Sequence, residues 1–507
     1  MPNVQNSPHS LQLCCGPISI TAPKIAFVAS LLLSLVAVQF QPVLARDSAL
    51  YVHMANLFNL LGYAGIEGQF DWPWVSIIIS WVHSITKLSM INSGNLLMAL
   101  FLAGSCAVMT KTTALLEPKA AYWGALVALT LPAFNGYRDV ILREPGFWFF
   151  TTLATFWMVR WALDRQHLAL VAALVAIMFA AVFRLEAILL IAGMLVTVLW
   201  IQRGWLRAHW KLSILAVTVA SVSTLALLFW LVHFPEQLGH RPAYYLSLLD
   251  PQSIFDKFNA TSAAFASAAL RDYSHEHAGR ILFWGFFMAL LIESVLMLGP
   301  FVLIFLVRFW RPLHPLLGVE ATFMIASAGL YFAVLMIFFV QQGFMTSRYT
   351  SYLHVLAAPL VGVLAYELAR YRKAAGVILA GLAVLAGVDN VVSLSEKRTH
   401  YLDAATWIQT HLPDDVSIYF DDRRIGFYAG YGYQEIAAPT DEISPDAARS
   451  YDYLVIEQPS TSQVVQDILN SSATAVLAVF DNGARRHITI IGPKDFQEEK
   501  KAPAEPL

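Results

Sequence analysis

Residues 134–150 read FNGYRDVILREPGFWFF and set Arg138, Asp139, Arg143 and Glu144 between strongly apolar stretches. Charges at bilayer depth are expensive and for that reason usually functional. Other charges sit in similar places. Asp47 comes directly after the first apolar run, in RDSALY; Arg184 and Glu186 lie in FRLEAILL; Arg348 lies in SRYTSYLHVLAAPL. A carboxylate can take a proton from a hydroxyl. Arginine holds phosphate in bidentate fashion. Each residue also has a structural reading. Asp47 could satisfy free N–H groups at the start of a surface helix. Glu144 precedes Pro145, a favoured helix start, and would sit at that helix's positive end. Arg184 and Glu186 could simply pair, and Arg348 with Tyr349 could anchor an interface. Four charges between positions 138 and 144 are nonetheless more than a cap needs.

Two weaker sets lie in one long loop. His275, Glu276 and His277, in RDYSHEHAGR, could ligate a divalent metal if the segment were a strand, where alternate residues share a face. On a helix the two histidines would diverge, and a solvated loop is the simpler reading. No cofactor is required by the sequence, and a divalent metal stays open. Tyr244 and Tyr245, in HRPAYYLSLLDPQ, could stack on a sugar or lie at an interface.

The elements that must position these residues are membrane helices. The 507-residue chain is 57% hydrophobic and 13% charged, with a mean hydropathy of +0.58, whereas a soluble protein carries roughly a quarter charged residues. The net charge of −2 says little about partners, and no nucleic-acid partner is expected. Three cysteines show no disulfide or metal spacing. LQLCCG has no basic and apolar stretch before it, so a lipoprotein signal is rejected. The run 25–45 reads as a retained helix. Segments of spanning length fall near 25–45, 91–110, 119–134, 146–163, 168–183, 185–201, 211–233, 281–307, 320–340, 350–369 and 373–391, which predicts about 11 transmembrane helices. Asp47–Leu61 and Trp72–Leu88 alternate with polar residues and read as surface helices.

With a cytoplasmic N-terminus, the cytoplasmic loops collect Lys111, Lys119, Arg160, Arg165, Arg203, Arg207, Lys211, Arg308, Arg311, Arg370, Arg372 and Lys373, the positive-inside pattern. The opposite face then receives Asp47, the 138–144 charges, Arg184, Glu186, Arg348 and the C-terminus. That convergence is the strongest functional signal in the chain. The expected organisation is a cytoplasmic tail (1–24), a polytopic α-helical membrane domain (25–394) with extracytoplasmic loops at 46–90, 135–145 and 234–280, a small α/β domain (395–492) and a disordered tail (493–507). In the α/β domain, VSIYF, YLVIEQ, TAVLAVF and HITIIG read as strands. DAATWIQTHL, with Asp403 as cap, and TSQVVQDILN read as helices.

The order of these motifs resembles the GT-C class of membrane glycosyltransferases, and within it the lipid A aminoarabinose transferases and protein O-mannosyltransferases. The likeness runs through RDSALY after the first helix, the aromatic-proline piece FDWPW, YRDVILREPGFWFF, FRLEAILL, SRYTSYLHVLAAPL and a soluble domain opening on ATWIQTHLP. It covers most of the chain. It implies an enzyme of the plasma (inner) membrane that moves a sugar, with inversion, from a polyprenyl-phosphate donor to an extracytoplasmic lipid, glycan or protein acceptor. It implies Asp47 as the base, with Glu144 or Asp139 orienting the acceptor or sharing the role. By position before the proline, Glu144 matches the second acidic motif better. Arg138, Arg143, Arg184 and Arg348 are the candidates for donor phosphate, and Tyr244, Tyr245 and Glu186 the weaker ones for sugar or acceptor. The competing readings are a transporter or lipid flippase, which would tend to carry charges inside its spans, an oligosaccharide ligase or polymerase, and a non-catalytic scaffold on the same fold.

Overall fold

A computed structural model describes residues 18–69, 72–209, 248, 250–308, 318–392, 397–413, 415–433, 443, 445–471, 474–483 and 487–496. Helices dominate it. They are α1 (Ile18–Gln39), α2 (Arg46–Leu61), α3 (Trp74–Thr86), α4 (Met90–Leu116), α5 (Ala121–Thr130), α6 (Pro132–Asn135), α7 (Glu144–Asp164), α8 (His167–Phe183) and α9 (Ile188–Ile201). After α10 (Arg203–Ala208) come α11 (Pro251–Ala269), α12 (Ala278–Leu296), α13 (Val302–Arg308), α14 (Thr322–Gln342), α15 (Ser347–Tyr371) and α16 (Lys373–Asp389). A helix occupies each expected apolar segment that the structure describes; 211–233 lies outside the described residues. Five helical segments are long and apolar enough to cross a membrane: Thr21–Gln39, Met90–Leu116, Asp272–Leu296, Val319–Gln342 and Ser347–Tyr371. Length and composition therefore support five spans among the described residues, fewer than hydropathy alone suggests.

The two amphipathic segments are helices. At 16 residues for α2 and 13 for α3, with a rise of about 1.5 Å per residue, neither spans a hydrocarbon core of about 30 Å. α2 buries Ser48, Ala49, Tyr51, Val52, Met54 and Ala55 and leaves Leu60 and Leu61 exposed at its far end. α4 is the central packing element, in contact with α1, α5 and α7. Its start is fixed by Ser89, whose hydroxyl accepts the Asn92 N–H at 3.3 Å. Pro132 ends α5, because the residue before a proline is pushed out of the helical region; Leu131 has ψ 118°. The chain then turns through α6 and the loop 136–143 to reach α7. Gly146, in the first turn of α7, lies flat against the Phe183 ring, and a side chain there would collide with it. That close approach brings the end of α8 onto the start of α7.

The C-terminal region forms a four-stranded sheet of β1 (Ile418–Phe420), β2 (Tyr453–Ile456), β3 (Thr474–Asp481) and β4 (His487–Pro493) in the order β1-β2-β4-β3. β1 pairs parallel to β2, with Tyr419 opposite Leu454. β4 runs antiparallel to both neighbours, with a bulge at Val476/Ala478. All residues of β2 are buried, because apolar clusters cover both faces of the sheet. One contains Tyr401, Ile408, Ile425 and Val455 and the other Leu454, Val465 and Ile468. α17 (His400–His411), α18 (Arg423–Tyr428), α19 (Pro445–Ala448) and α20 (Gln463–Ser471) complete the domain. α17 starts before the expected Asp403, which lies in its first turn, and Thr399 takes the cap position.

Candidate active site

Four helix ends meet on the face where Asp47 lies. Asp47 is the second residue of α2, Arg348 the second of α15, Glu144 the first of α7, and Arg184 follows the last residue of α8. Their side chains form one alternating chain of charge. Asp47 Oδ2 accepts from Arg348 Nη1 at 2.5 Å. Arg348 Nε lies 3.4 Å from Glu144 Oε1. The same Glu144 oxygen accepts from Arg184 Nη1 at 2.8 Å, and Arg184 Nε donates to Glu186 at 3.1 Å. Accessibility falls along the chain, from 45% for the Asp47 side chain and 27% for Arg348 to 5% for Arg184 and 1% for Glu144.

Helix dipoles suit most of this arrangement. Asp47 and Glu144 occupy positive helix starts and Arg184 a negative helix end. Arg348 is the exception, a cation at the start of α15, and two carboxylates offset its position. The guanidinium of Arg184 also lies 5.4 Å from the Tyr349 ring and 5.9 Å from that of Phe147, contacts that favour a cation. Tyr331 donates to the Tyr349 carbonyl at 3.0 Å and holds that ring in place.

The α2 and 136–143 segments are joined by one hydroxyl. Ser48 Oγ donates to the Ile141 carbonyl at 3.1 Å and accepts the Ile141 N–H at 3.0 Å. Ile141 itself packs so closely on Gly94 that a Cβ there would come within 2.7 Å of its Cδ1. The residue beside Asp47 is thereby locked to the loop that leads into Glu144. One turn further along α2, Tyr51 is buried among the charges of Arg143, Glu144, Asp47 and Arg348; burial pushes its phenol up to about 12. Sequence reasoning did not single out Ser48 or Tyr51, and it took Tyr349 only as an interface anchor beside Arg348. Tyr51 had a usable signal: it follows Asp47 by one helical turn, on the same face.

The other expected residues fall elsewhere. Arg143 is partly exposed beside the cluster and holds no ion pair among the described residues. Arg138, a candidate of the phosphate set, lies away from the cluster. It is 2% exposed and turns into the protein, donating to the Ser30 carbonyl and hydroxyl, to Ser34 and to Asn135. It ties the outer loop to α1 and is not brought to the cluster. Asp139 is half-buried without an ion pair among the described residues, and burial pushes its carboxyl up. His275 and His277 lie on a short 3-10 segment, Asp272–His277. They face separate partners, His275 at 3.7 Å from Asp272 and His277 at 3.6 Å from Glu276. Among the described residues no group of three or more His, Cys, Asp or Glu side chains could hold a metal ion. Tyr244 and Tyr245 lie outside the described residues.

No known family profile matches the sequence, and no curated protein matches it. Solved structures do. ArnT from Cupriavidus metallidurans, bound to undecaprenyl phosphate, superposes with a TM-score of 0.54 at 14% identity, over 95% of this chain and 99% of that one. The Archaeoglobus fulgidus oligosaccharyltransferase, tethered to an acceptor peptide, superposes with a TM-score of 0.52 at 13% identity, over 92% of this chain and 74% of that one. The chain is an integral membrane protein, with five helical segments among the described residues long and apolar enough to span, and it shares the fold of these two structures.

Proposed function

We propose that the protein is a glycosyltransferase that moves a sugar from a polyprenyl-phosphate donor to a hydroxyl of an extracytoplasmic acceptor. The observation that carries this reading is the charge chain Asp47–Arg348–Glu144–Arg184 assembled at four helix ends. A transporter would tend to hold such charges at mid-membrane on broken helices. Support also comes from the fold neighbours, one bound to undecaprenyl phosphate and one tethered to an acceptor peptide.

On this reading Asp47, the accessible carboxylate of the chain, is the base. It takes the proton of the acceptor hydroxyl as the hydroxyl oxygen bonds to the anomeric carbon. The bond from that carbon to the phosphate oxygen breaks, and polyprenyl phosphate leaves with the electron pair. The configuration inverts in this single displacement. Phosphate needs no strong acid to leave, so the second, acid carboxyl of ordinary glycosidases is not required. Arg143 and Arg348 face the phosphate. Glu144 is too enclosed to touch an acceptor and instead spaces Arg348 from Arg184. The N-terminus lies in the cytoplasm and the site and C-terminal domain on the opposite side of the plasma membrane, in line with the lysine and arginine asymmetry.

The test offers radiolabelled polyprenyl-phosphate sugars to membranes with and without the protein, and with Asp47→Asn. Transfer should require the protein and fall by about a hundredfold or more in the variant, the scale of a lost general base, while the donor still binds. Near-normal transfer by Asp47→Asn at equal expression would remove Asp47 from the chemistry.

A further inference from the structure

The helix that carries Asp47 has a weak start of its own. Its cap position is Ala45, which makes no side-chain hydrogen bond to the free N–H groups of the first turn, and alanine is among the poorest residues there. The three residues before Asp47 are held from outside, by one turn of the C-terminal domain. The Leu44 N–H donates to the Tyr428 hydroxyl at 2.8 Å. The Leu44 carbonyl accepts from Arg424 Nη1 at 3.4 Å. Arg46 Nη2 pairs with Asp422 Oδ2 at 3.1 Å.

The holder is itself rigid. The Asp422 side chain is fully buried. It accepts the Arg424 backbone N–H at 3.0 Å and the Arg424 guanidinium at 2.9 and 2.6 Å. Val43, 4% exposed, packs into the C-terminal core beside Tyr401 and Ile425. On the same side of α2, Gly432 has φ +77°, and a Cβ on it would lie 2.8 Å from the His53 ring. Apolar burial alone would dock the domain anywhere along α2. These polar contacts converge on Leu44 and Arg46, immediately ahead of Asp47.

We infer that the C-terminal domain positions the proposed base: Asp422, Arg424 and Tyr428 clasp residues 44–46 and set the angle at which α2 presents Asp47 to Arg348. The inference rests on the transferase reading for its kinetic consequence and on geometry for the clasp itself. Asp422, Arg424 and Tyr428 are positioning residues; none contacts the charge chain directly.

The experiment compares the full-length protein with Tyr428→Phe, which removes a single oxygen, and with Asp422→Asn. Hydrogen exchange is followed by peptide over 44–52, and kcat and donor KM are measured separately. In both variants the amides of 44–52 should exchange about fivefold faster, the scale of one lost hydrogen bond, while exchange in α4 stays unchanged. kcat should fall about five- to tenfold with donor KM unchanged, since a misaimed base spares ground-state donor binding. Unchanged exchange over 44–52 in Tyr428→Phe would refute the clasp. Faster exchange with unchanged kcat would refute its positioning role. A wild-type protein that transfers no sugar would overturn the transferase reading, and with it the kinetic half of the inference; exchange then decides the clasp alone.

Discussion

Glu144→Gln separates a carboxylate that does chemistry from one that spaces two arginines. The side chain is 1% exposed. One oxygen receives both Arg184 at 2.8 Å and Arg348 at 3.4 Å, and the other is buried without a hydrogen-bond partner among the described residues. Removing one member of a buried ion pair costs about 3–5 kcal/mol when a cation is left alone. Here neither cation is left alone. Arg184 keeps Glu186, Arg348 keeps Asp47, and glutamine keeps an acceptor oxygen. The loss should therefore fall to about 2–3 kcal/mol. At about 2–4 °C per kcal/mol for a large domain, the apparent melting temperature in detergent should drop by roughly 4–12 °C. Transfer should fall by about tenfold through misplaced arginines. A second variant completes the measurement. In a double-mutant cycle with Arg184→Met the two losses should add to less than their sum, because the second change removes the cation that the first left short of charge. If Glu144→Gln melts like wild type and yet abolishes transfer, Glu144 touches substrate and the spacing argument is wrong.

Other changes probe the frame around it. Ser48→Ala leaves the Ile141 N–H and carbonyl without their shared partner and should cost about 2–4 kcal/mol, with a fall in transfer although Asp47 is intact; a wild-type melting curve and rate would show that the two segments are aligned by something else. Arg143→Ala removes a cation with no ion pair among the described residues, so melting should be unchanged while donor KM rises about tenfold, within the usual worth of a charged hydrogen bond; a change in melting instead of KM would contradict it. Acid should loosen the C-terminal domain. Burial raises the Asp422 carboxyl, but the hydrogen bonds and charge of Arg424, with Arg46, outweigh it and hold it down to about 2. A depressed carboxyl stabilises above its unfolded value and loses that contribution as pH falls through the folded one. About 2 kcal/mol should thus be lost between pH ~4 and ~2, and Asp422→Asn should flatten that part of the stability profile.

The sequence exposes the ends of membrane helices because hydropathy breaks sharply there. For that reason Asp47, Glu144, Arg184, Glu186 and Arg348 could be assigned to one face before any packing was known. The strands were legible for a similar reason: β2 and β4 read as short apolar runs, and they are buried among clusters on both sides of the sheet. Which helix ends touch was not legible. The approach of α8 to α7 depends on Gly146 lying against Phe183, and a lone glycine at a helix start carries no pairing information. The placement of Arg138 was not legible either. That residue shares a short loop with Arg143, yet the turn after α6 sends it inward to Ser30 and Ser34. Those serines are one helical turn apart on α1, a polar stripe in an apolar helix, and that spacing was a visible invitation to a buried donor.

Arg348 ties the proposed chemistry to the resting charge pattern. A cation at a helix start opposes the dipole, so its place depends on the carboxylates around it. Three carboxylates (Asp47, Glu144 and Glu186) face three guanidiniums (Arg143, Arg184 and Arg348), and the set is balanced before a donor arrives. In the proposed reaction Asp47 loses its negative charge when it takes the acceptor proton, while the phosphate gains one as it leaves. The total is conserved, and negative charge moves from the carboxylate to the phosphate. Arg348 already pairs with Asp47, and Glu144 holds it from behind. A group so placed can follow the charge with little rearrangement, and preorganised electrostatics of this kind is often the largest contribution to catalysis. Glu144 is enclosed between two guanidiniums and Asp47 is accessible, so Asp47 is the carboxylate of the chain that an acceptor hydroxyl can reach.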